Sequence, residues 1–292
     1  MAQFPITWLE VFAEAPLQGN LHAVVHEADS IATATMAAFA TRMRLSETSY
    51  VQTPTEGPAD YRHRIFTVAG EIPFAGHPSL GTAAAVALAK GRSSARLTQQ
   101  TMAGIQELVV DLEPDGSKGT VDLTQNPPEY LGDHDPGPVL EALGLNADDR
   151  HPTLEATVIS TGLPTLILPV RDVEVLSRPS PDLVGILAAL EGVGHSVITC
   201  YVVAHLGDGA WRARCFTPQV AGGEDPATGS AAGPLTAFAH RQLGLSSIVI
   251  DQGIEMGSPS RLYGRVEGET VVVSGAVRVI GHGTIELPVL AG

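Results

Sequence analysis

Lysine and arginine are scarce in this 292-residue chain, with 17 of them against 32 aspartate and glutamate residues. The net charge of −15, together with the lack of any Lys/Arg-rich run, argues against nucleic acid as a partner. Long apolar runs are missing too, because even the stretch from Ser196 to Leu206 is too short for a bilayer and contains His205. The sequence therefore predicts a protein that binds neither nucleic acid nor membrane.

Only two cysteines occur, Cys200 and Cys215, and each lies inside an apolar, strand-like run. This usage predicts reduced, structural thiols and a cytoplasmic location. Residues 1–11 read as an amphipathic strand and lack the basic start and long apolar core of a signal peptide. No zinc-type spacing is present, and turn composition explains the Asp-His-Asp run at residues 133–135, so we expect no metal site.

Glycine and proline are frequent, with 31 and 21 residues, as in turn-rich proteins that mix helices and strands. Residues 79–90 and 230–242 read as helices of small residues, and short apolar segments around them read as strands. No Gly-x-Gly-x-x-Gly turn follows an opening strand, which disfavours a dinucleotide-binding fold. We expect an α+β protein in which curved mixed sheets wrap central helices.

Residues 126–138 are rich in proline, glycine and aspartate and are the best candidate for a linker. They separate an N-terminal half, residues 1–125, from a C-terminal half, residues 139–279. The tail, residues 280–292, is a further strand that can complete the first half. A chain of 292 residues is long enough for two such domains, each with its own core.

One segment of the chain occurs twice. Residues 62–67, Arg-His-Arg-Ile-Phe-Thr, are echoed by residues 212–217, Arg-Ala-Arg-Cys-Phe-Thr. Each copy is followed by Gly-Glu and then by one of the two small-residue helices, residues 79–90 or 230–242. Two copies are too few for a repeat solenoid, so the pattern predicts two related, pseudo-symmetric halves with a ligand cleft between them.

The most informative stretch is residues 224–232, in which an acidic pair and a proline precede Thr-Gly-Ser and an Ala-rich run. The first turn of a helix leaves N–H groups without partners, and these groups together with the helix dipole attract an anion such as a carboxylate. Asp225 lies next to this predicted anion site. An ordinary capped helix is the alternative interpretation of this stretch taken alone.

Three motifs resemble those of the phenazine-biosynthesis isomerase family, the PhzF-like proteins, which are relatives of diaminopimelate epimerase and proline racemase. The motifs are Ser-Glu-Thr at residues 46–48, Gly-His-Pro at 76–78 and Glu-Asp-Pro-Ala-Thr-Gly-Ser-Ala at 224–231. The resemblance extends over nearly the whole chain. It implies two similar halves, each a sheet or barrel around a central helix, and a homodimer.

The same resemblance implies roles for single residues. Gly76 and Asp225 stand where the epimerases have their two catalytic cysteines, so the acid–base role passes to Glu47, supported by His77 and Asp225. Ser46, Gly76, Gly229 and Ser230 are implied as substrate contacts. The reaction implied is a proton shift in a small anionic substrate, possible for a carboxyl group whose pKa lies near neutrality, with no cofactor and no metal. 

Two other functions fit the same residues. One is a racemase or epimerase with Glu47 and Asp225 as opposed bases, and the other is a ligand-binding or scaffold protein without turnover. The sequence also departs from the family pattern, because Leu21 and His22 follow Gly19-Asn20 where relatives commonly have a proline. The substrate is expected to carry a carboxylate, and a cyclic dihydro-hydroxyanthranilate is the class that the resemblance suggests.

Overall fold

A computed structural model describes residues 1–218, 220 and 222–289. It divides the chain into two units, of which the first comprises residues 1–124 and the chain from 274 onward, and the second residues 125–273. Two short 3₁₀ turns, Ala28–Ser30 and Ala147–Asp149, lie in the first and the second unit respectively. Within the described residues, no helix is long and apolar enough to cross a membrane.

The first unit is a closed sheet around one helix. Neighbouring strands pair in the order β1, β2, β3, β4, β6, β7, β8 and β17, and β17 pairs again with β1. A short strand, β5, extends β4 as a hairpin. The strands are β1 (Ala2–Val11), β2 (Asn20–Val25), β3 (Thr48–Gln52), β4 (Tyr61–Thr67), β5 (Gly70–Ile72), β6 (Ser94–Thr101), β7 (Gly104–Leu112), β8 (Lys118–Thr124) and β17 (Thr270–Leu287), which begins in the second unit.

Helix α2 (Gly76–Ala89) fills this barrel and contacts seven of its strands. Its residues from 76 to 87 are all buried, so this part of the helix has no solvent-exposed face. Small side chains explain the fit, because Gly, Ala, Ser and Thr let the surrounding backbone approach closely on every side. A second helix, α1 (Thr33–Met43), packs outside the sheet over a core that includes Met36, Tyr50 and Phe66.

The second unit repeats this plan. Its strands pair in the order β9, β10, β11, β12, β13, β15 and β16, and β14 extends β13 as a hairpin. The strands are β9 (Glu129–Asp133), β10 (Thr157–Ser160), β11 (Pro164–Pro169), β12 (Thr199–Gly207), β13 (Ala210–Phe216), β14 (Glu224–Asp225), β15 (Ser247–Gln252) and β16 (Ser260–Glu267).

Helix α6 (Gly229–Leu243) is the central helix of the second unit, and its residues from 229 to 239 are buried. It packs against β10, β11, β15 and β16. A separate apolar cluster on the other side of the sheet includes Ile186, Leu190 and Phe216. The remaining helices of this unit are α3 (Gly137–Ala142), α4 (Val173–Ser177) and α5 (Leu183–Val193).

The two units have the same strand topology, which confirms the α+β fold with two related halves. In each, a parallel pair (β2–β3 or β11–β12) is followed by an antiparallel partner, a hairpin, the central helix and a second parallel pairing. The same side-chain arrangement occurs in both units. An arginine on β4 or β13 forms a bidentate ion pair with a glutamate of the hairpin and lies over a phenylalanine ring. These trios are Arg64, Glu71 and Phe66, and Arg214, Glu224 and Phe216.

The structure differs from the sequence analysis at the predicted linker. Residues 126–138 contain β9 and belong to the second unit, where β9 pairs with β10. Proline and glycine occur in short edge strands as well as in linkers, so composition alone does not distinguish the two.

Candidate active site

The first unit brings Glu47 and His77 together. Glu47 immediately precedes β3, and His77 is the second residue of α2. Their side chains meet with Glu47 Oε2 at 3.3 Å from His77 Nδ1, and the residues are only 7% and 2% exposed. A carboxylate beside an imidazole is a pair of groups that can transfer protons. The predicted association of Glu47 with His77 is present within this unit.

His77 is held in its neutral form. Burial, with a smaller contribution from the neighbouring His63, lowers the pKa of His77 to about 3. The contact with Glu47 is therefore a close approach of a carboxyl group to a neutral imidazole and not an ion pair, although its distance satisfies the criterion for one. The side-chain amide of Asn20 lies 3.2 Å from the same Nδ1 and fixes the ring from the strand β2.

A chain of hydrogen bonds behind this pair fixes the tautomer of His63. The Ser79 hydroxyl donates to the carbonyl of Ala75 (2.7 Å), so it accepts from Gln99 Nε2 (2.9 Å). Gln99 Oε1 is then the acceptor for His63 Nδ1 at 2.9 Å, which places the proton of this ring on Nδ1. His63 Nε2 is left to accept from the hydroxyl of Ser49 at 2.6 Å.

This network keeps a second histidine neutral in the interior. Burial lowers the pKa of His63 to about 4, and its hydrogen bond to Gln99 opposes the shift. Sequence analysis missed both His63 and Gln99 as parts of the site. A signal for His63 existed, because the period-2 pattern of the repeated segment places the histidine of Arg-His-Arg on the face opposite to its two arginines.

The start of α2 supplies backbone donors beside the pair. Its N-cap residue, Ala75, has no side chain that can cap, and Pro78 has no N–H. Within the part of the chain that the structure describes, the first-turn N–H groups of Gly76 and His77 have no helical acceptor, as in any first turn. Ser46, the other predicted contact in this unit, is half-buried next to Glu47. This end of the helix can receive a carboxylate.

In the second unit, Asp225 ends the short strand β14 and is 4% exposed. Its Oδ2 accepts a hydrogen bond of 2.6 Å from the hydroxyl of Thr228. Thr228 is the N-cap residue of α6, but its side chain makes no cap bond to the helix and holds the Asp225 carboxylate instead. The Asp225 carboxylate is therefore held in one position next to the start of α6.

A buried glutamine organises the backbone around Asp225. Gln252 Nε2 donates to the Asp225 carbonyl (2.7 Å) and to Thr228 Oγ1 (3.0 Å). Gln252 Oε1 accepts from the Tyr201 hydroxyl (2.8 Å) and the Thr228 N–H (3.2 Å). Because all four bonds converge on a side chain that is 0% exposed, the position of Asp225 is set from within the core of its unit. Sequence analysis missed Gln252 and Tyr201.

The start of α6 parallels that of α2. The N–H groups of Ala231 and Ala232 donate to the carbonyl of Thr228, which leaves those of Gly229 and Ser230 as the first-turn donors. The carbonyl of Gly229 accepts from Gln125 Nε2 at 2.9 Å, so this turn is held in place. Both predicted contacts of this unit, Gly229 and Ser230, are thus at a helix N-terminus.

The two cysteines are fully buried and reduced. Burial raises the pKa of the Cys200 thiol, and burial, reinforced by the charge of Asp225, raises that of Cys215. A buried thiol with a raised pKa is a poor acid–base group near neutrality. Cys215 does pair with Asp225 across β13 and β14, a neighbour relation that sequence analysis did not predict.

The fold defines the class of protein first. A hydroxyproline epimerase from Agrobacterium vitis aligns with a TM-score of 0.70 over 98% of this chain and 91% of its own, at 13% identity, which establishes a shared fold alone. A structure described as a predicted epimerase from Pseudomonas aeruginosa aligns with a TM-score of 0.84 at 32% identity, covering 97% and 99% of the two chains. The epimerase-like fold is confirmed.

The family follows from the sequence comparisons. A family model described as phenazine biosynthesis-like protein matches residues 9–287, and the chain belongs to this family. Two relatives are named trans-2,3-dihydro-3-hydroxyanthranilate isomerase. The one from Pseudomonas aeruginosa is 37% identical over 94% of each chain, and the one from Pseudomonas fluorescens is 35% identical over 96% of this chain and 98% of its own. The expectation of an isomerase is confirmed at the level of class.

Proposed function

We propose that this chain catalyses a proton shift in a small carboxylate-bearing substrate, of the dihydro-hydroxyanthranilate class named for its relatives, without a cofactor. The observation that carries the proposal is the buried contact of 3.3 Å between Glu47 and His77. A carboxylate is a competent base for a C–H bond next to a conjugated system when the site is dry and the group is oriented.

In the proposed step, the Glu47 carboxylate takes a proton from a substrate carbon, and the electron pair moves through the conjugated system. The resulting carboxylic acid returns the proton at another carbon of the same molecule, so atoms and electrons balance. His77, neutral at physiological pH, places Nδ1 3.3 Å from Glu47 Oε2 and accepts at the same Nδ1 from the Asn20 amide. A neutral imidazole lies beside the base without cancelling its charge.

The helix starts are proposed as anion receptors. The N–H groups of Gly76 and of Gly229 and Ser230 are first-turn donors whose dipole favours a carboxylate. Ser46, half-buried beside Glu47, is proposed as a further substrate contact. Preorganised donors of this kind stabilise negative charge that grows as the proton leaves carbon.

Asp225 is proposed as a second acid–base group of the reaction. The Thr228 hydroxyl and the Gln252 clamp hold it in one position, as catalysis requires of a proton-transfer group.

The decisive experiment replaces Glu47 by Gln, which keeps the shape of the side chain and removes the base. General acid–base groups contribute about 10²- to 10⁴-fold, so we expect kcat on the dihydro-hydroxyanthranilate to fall by that amount. Glu10→Gln is the matched control, because Glu10 is another buried glutamate of this unit that accepts a structural hydrogen bond from the Leu17 N–H. Undiminished turnover in Glu47→Gln would overturn the assignment.

Product analysis in D₂O separates the proposal from its alternatives. Migration of a double bond with transfer of the proton to one face supports the proton shift. Inversion of a stereocentre with deuterium incorporation indicates a racemase or epimerase, and ligand binding that depends on Glu47 without any exchange indicates a binding protein.

Two properties of the molecule are also proposed. A cytoplasmic location is supported by the two free, buried cysteines, since reduced thiols are usual there. A homodimer is supported by membership of the family, and sedimentation at micromolar concentration tests it, with a mass near 30.4 kDa excluding a dimer.

A further inference from the structure

A third histidine, His22, lies beside Glu47 on the adjacent strand. The parallel strands β2 and β3 pair Ala23 with Thr48, so the residues just before them, His22 and Glu47, are neighbours in the same register. His22 is 0% exposed and faces the central helix α2. Asn20, two residues earlier on the same face of β2, holds His77, which makes this face of the strand one wall of the site.

His22 contacts both members of the acid–base pair. Its imidazole lies close to the main chain of Glu47, which follows in the paired register of the adjacent strand. Its ring stands edge-on to the ring of His77, with centroids 5.2 Å apart and an interplanar angle of 87°. Its Nε2 lies 3.5 Å from the hydroxyl of Thr82, which follows His77 by about one and a half turns of α2. One side chain thus ties the strand that carries the base to the helix that carries its partner.

His22 belongs to the same buried polar cluster as His63. The Thr82 hydroxyl lies 3.2 Å from His63 Nε2, which accepts from Ser49 at 2.6 Å, and 3.5 Å from His22 Nε2. Burial, with smaller contributions from His77 and His63, lowers the pKa of His22, so its imidazole is neutral.

We propose that His22 is a positioning residue, which fixes the main chain at Glu47 and the ring plane of His77 and thereby sets the geometry of the proton-transfer pair. The inference rests on the proposed function. It adds a residue that does not touch the substrate but whose contacts decide how Glu47 and His77 meet. Loss of about 1.4 kcal/mol of transition-state stabilisation, typical of lost positioning, corresponds to a tenfold lower kcat.

Helix α2 is shaped to admit this ring. A Cβ at Gly81 would lie 2.8 Å from His22 Cδ2 and 3.0 Å from a methyl group of Val11. Gly81→Ala therefore displaces the His22 imidazole without removing any of its atoms. This substitution tests the ring's position separately from its chemistry.

The test compares four variants of the full-length chain. His22→Leu removes the polar imidazole, and His22→Gln restores a group that can hydrogen bond near the position of Nε2. Gly81→Ala moves the ring, and His26→Leu is the control, because His26 is a buried histidine of the same unit that bonds Thr7 at 3.0 Å. The readouts are kcat and KM for the dihydro-hydroxyanthranilate, and the ¹⁵N shifts of the His77 imidazole, assigned with His77→Asn.

We expect kcat to fall about tenfold in His22→Leu with KM within twofold, to recover in His22→Gln, and to fall in Gly81→Ala. His26→Leu should lose stability and keep its kcat. A wild-type kcat in His22→Leu, an equal defect in His22→Gln, or an equal defect in His26→Leu overturns the proposal. If the wild-type chain has no turnover, the proposed function fails, and the NMR decides about His22: His77 signals that move in His22→Leu but not in His26→Leu support it, and unmoved signals refute it.

Discussion

Acid should unfold the first unit through its buried imidazoles. Burial lowers the pKa of His63 to about 4 and that of His77 to about 3, and burial with its two neighbours lowers the pKa of His22. In the unfolded chain each imidazole titrates near the ordinary value of about 6.5. The folded-state pKa is depressed, so the stabilisation is present above about pH 6.5 and is lost as the pH falls towards the folded value.

The size of the loss follows from the unfolded value. At pH 5 the imidazoles of His63 and His77 are still neutral in the folded protein, whereas in the unfolded chain the pH is about 1.5 units below their pKa. At 1.36 kcal/mol per unit, each costs about 2 kcal/mol, and the two together cost about 4 kcal/mol. His22 acts in the same direction. Domains are stable by about 5–15 kcal/mol, so a drop from pH 8 to pH 5 should remove a large part of the stability of this unit.

The slope of the free energy of unfolding against pH is measured by urea unfolding between pH 8 and pH 5. Trp8 fluorescence in a Trp211→Phe background reports on the first unit, because the chain has only two tryptophans and Trp8 is in that unit. His63→Asn and His77→Asn should each reduce the slope near pH 5 by about 1.36 kcal/mol per pH unit, one proton's worth. His282→Asn, at an exposed position, should leave the slope unchanged. Slopes in the His63 and His77 variants equal to wild type would refute the reasoning.

Three further outcomes are expected in the second unit. Gln252→Ala removes the hydrogen bonds that Gln252 makes to the Tyr201 hydroxyl and the Asp225 carbonyl. At about 1–3 kcal/mol for each bond, thermal unfolding should show a loss of about 2–6 kcal/mol in the free energy of unfolding. A wild-type melting temperature would contradict the role of Gln252 as a clamp. Asp225→Asn should lower kcat by about 10²-fold or more with an unchanged circular dichroism spectrum, and full activity would remove it from the mechanism. Iodoacetamide should label Cys200 and Cys215 only after denaturation, as mass spectrometry would show, and native labelling would contradict their burial.

The fold could be predicted because its main signal is local and occurs twice. Residues 62–67 and 212–217 form β4 and β13, and in each unit this strand has the same antiparallel and parallel neighbours. The period-2 alternation, the Gly-Glu turn and the small-residue helix are all readable within about 30 residues. Strand β9 (Glu129–Asp133) was missed because it is a short edge strand of half-buried and exposed residues among prolines.

The site was predicted in part. Glu47 and His77 were expected to act together because of a family resemblance, and nothing in the local sequence indicates that they meet. His22, His63 and Gln252 were missed, since their roles depend on strand register and on partners far away in the chain. A buried polar side chain is informative only once its partners are known, and a single sequence does not give the register that selects them.

Strand registers define which positions of the two units are equivalent. Phe66 pairs with Glu71 in the first hairpin as Phe216 pairs with Glu224 in the second, and each central helix begins five residues after that glutamate. The scaffold residues are therefore duplicated. The residues proposed for chemistry are not, since their equivalents differ: Glu47 corresponds to Thr199, His77 to Ser230 and Asp225 to Ile72.

This asymmetry bears on the choice between a proton shift and racemisation. A racemase with two opposed bases needs a proton-transfer group of similar strength on each side of one carbon, and a duplicated frame supplies that most directly at equivalent positions. Here Glu47 lies before a strand and contacts an imidazole, whereas Asp225 ends a hairpin and is held by a hydroxyl. Groups in such different surroundings are suited to different tasks, one to remove and return a proton and the other to assist. The arrangement favours the single-base proton shift, and a strict requirement for both carboxylates in stereoinversion would reverse that preference.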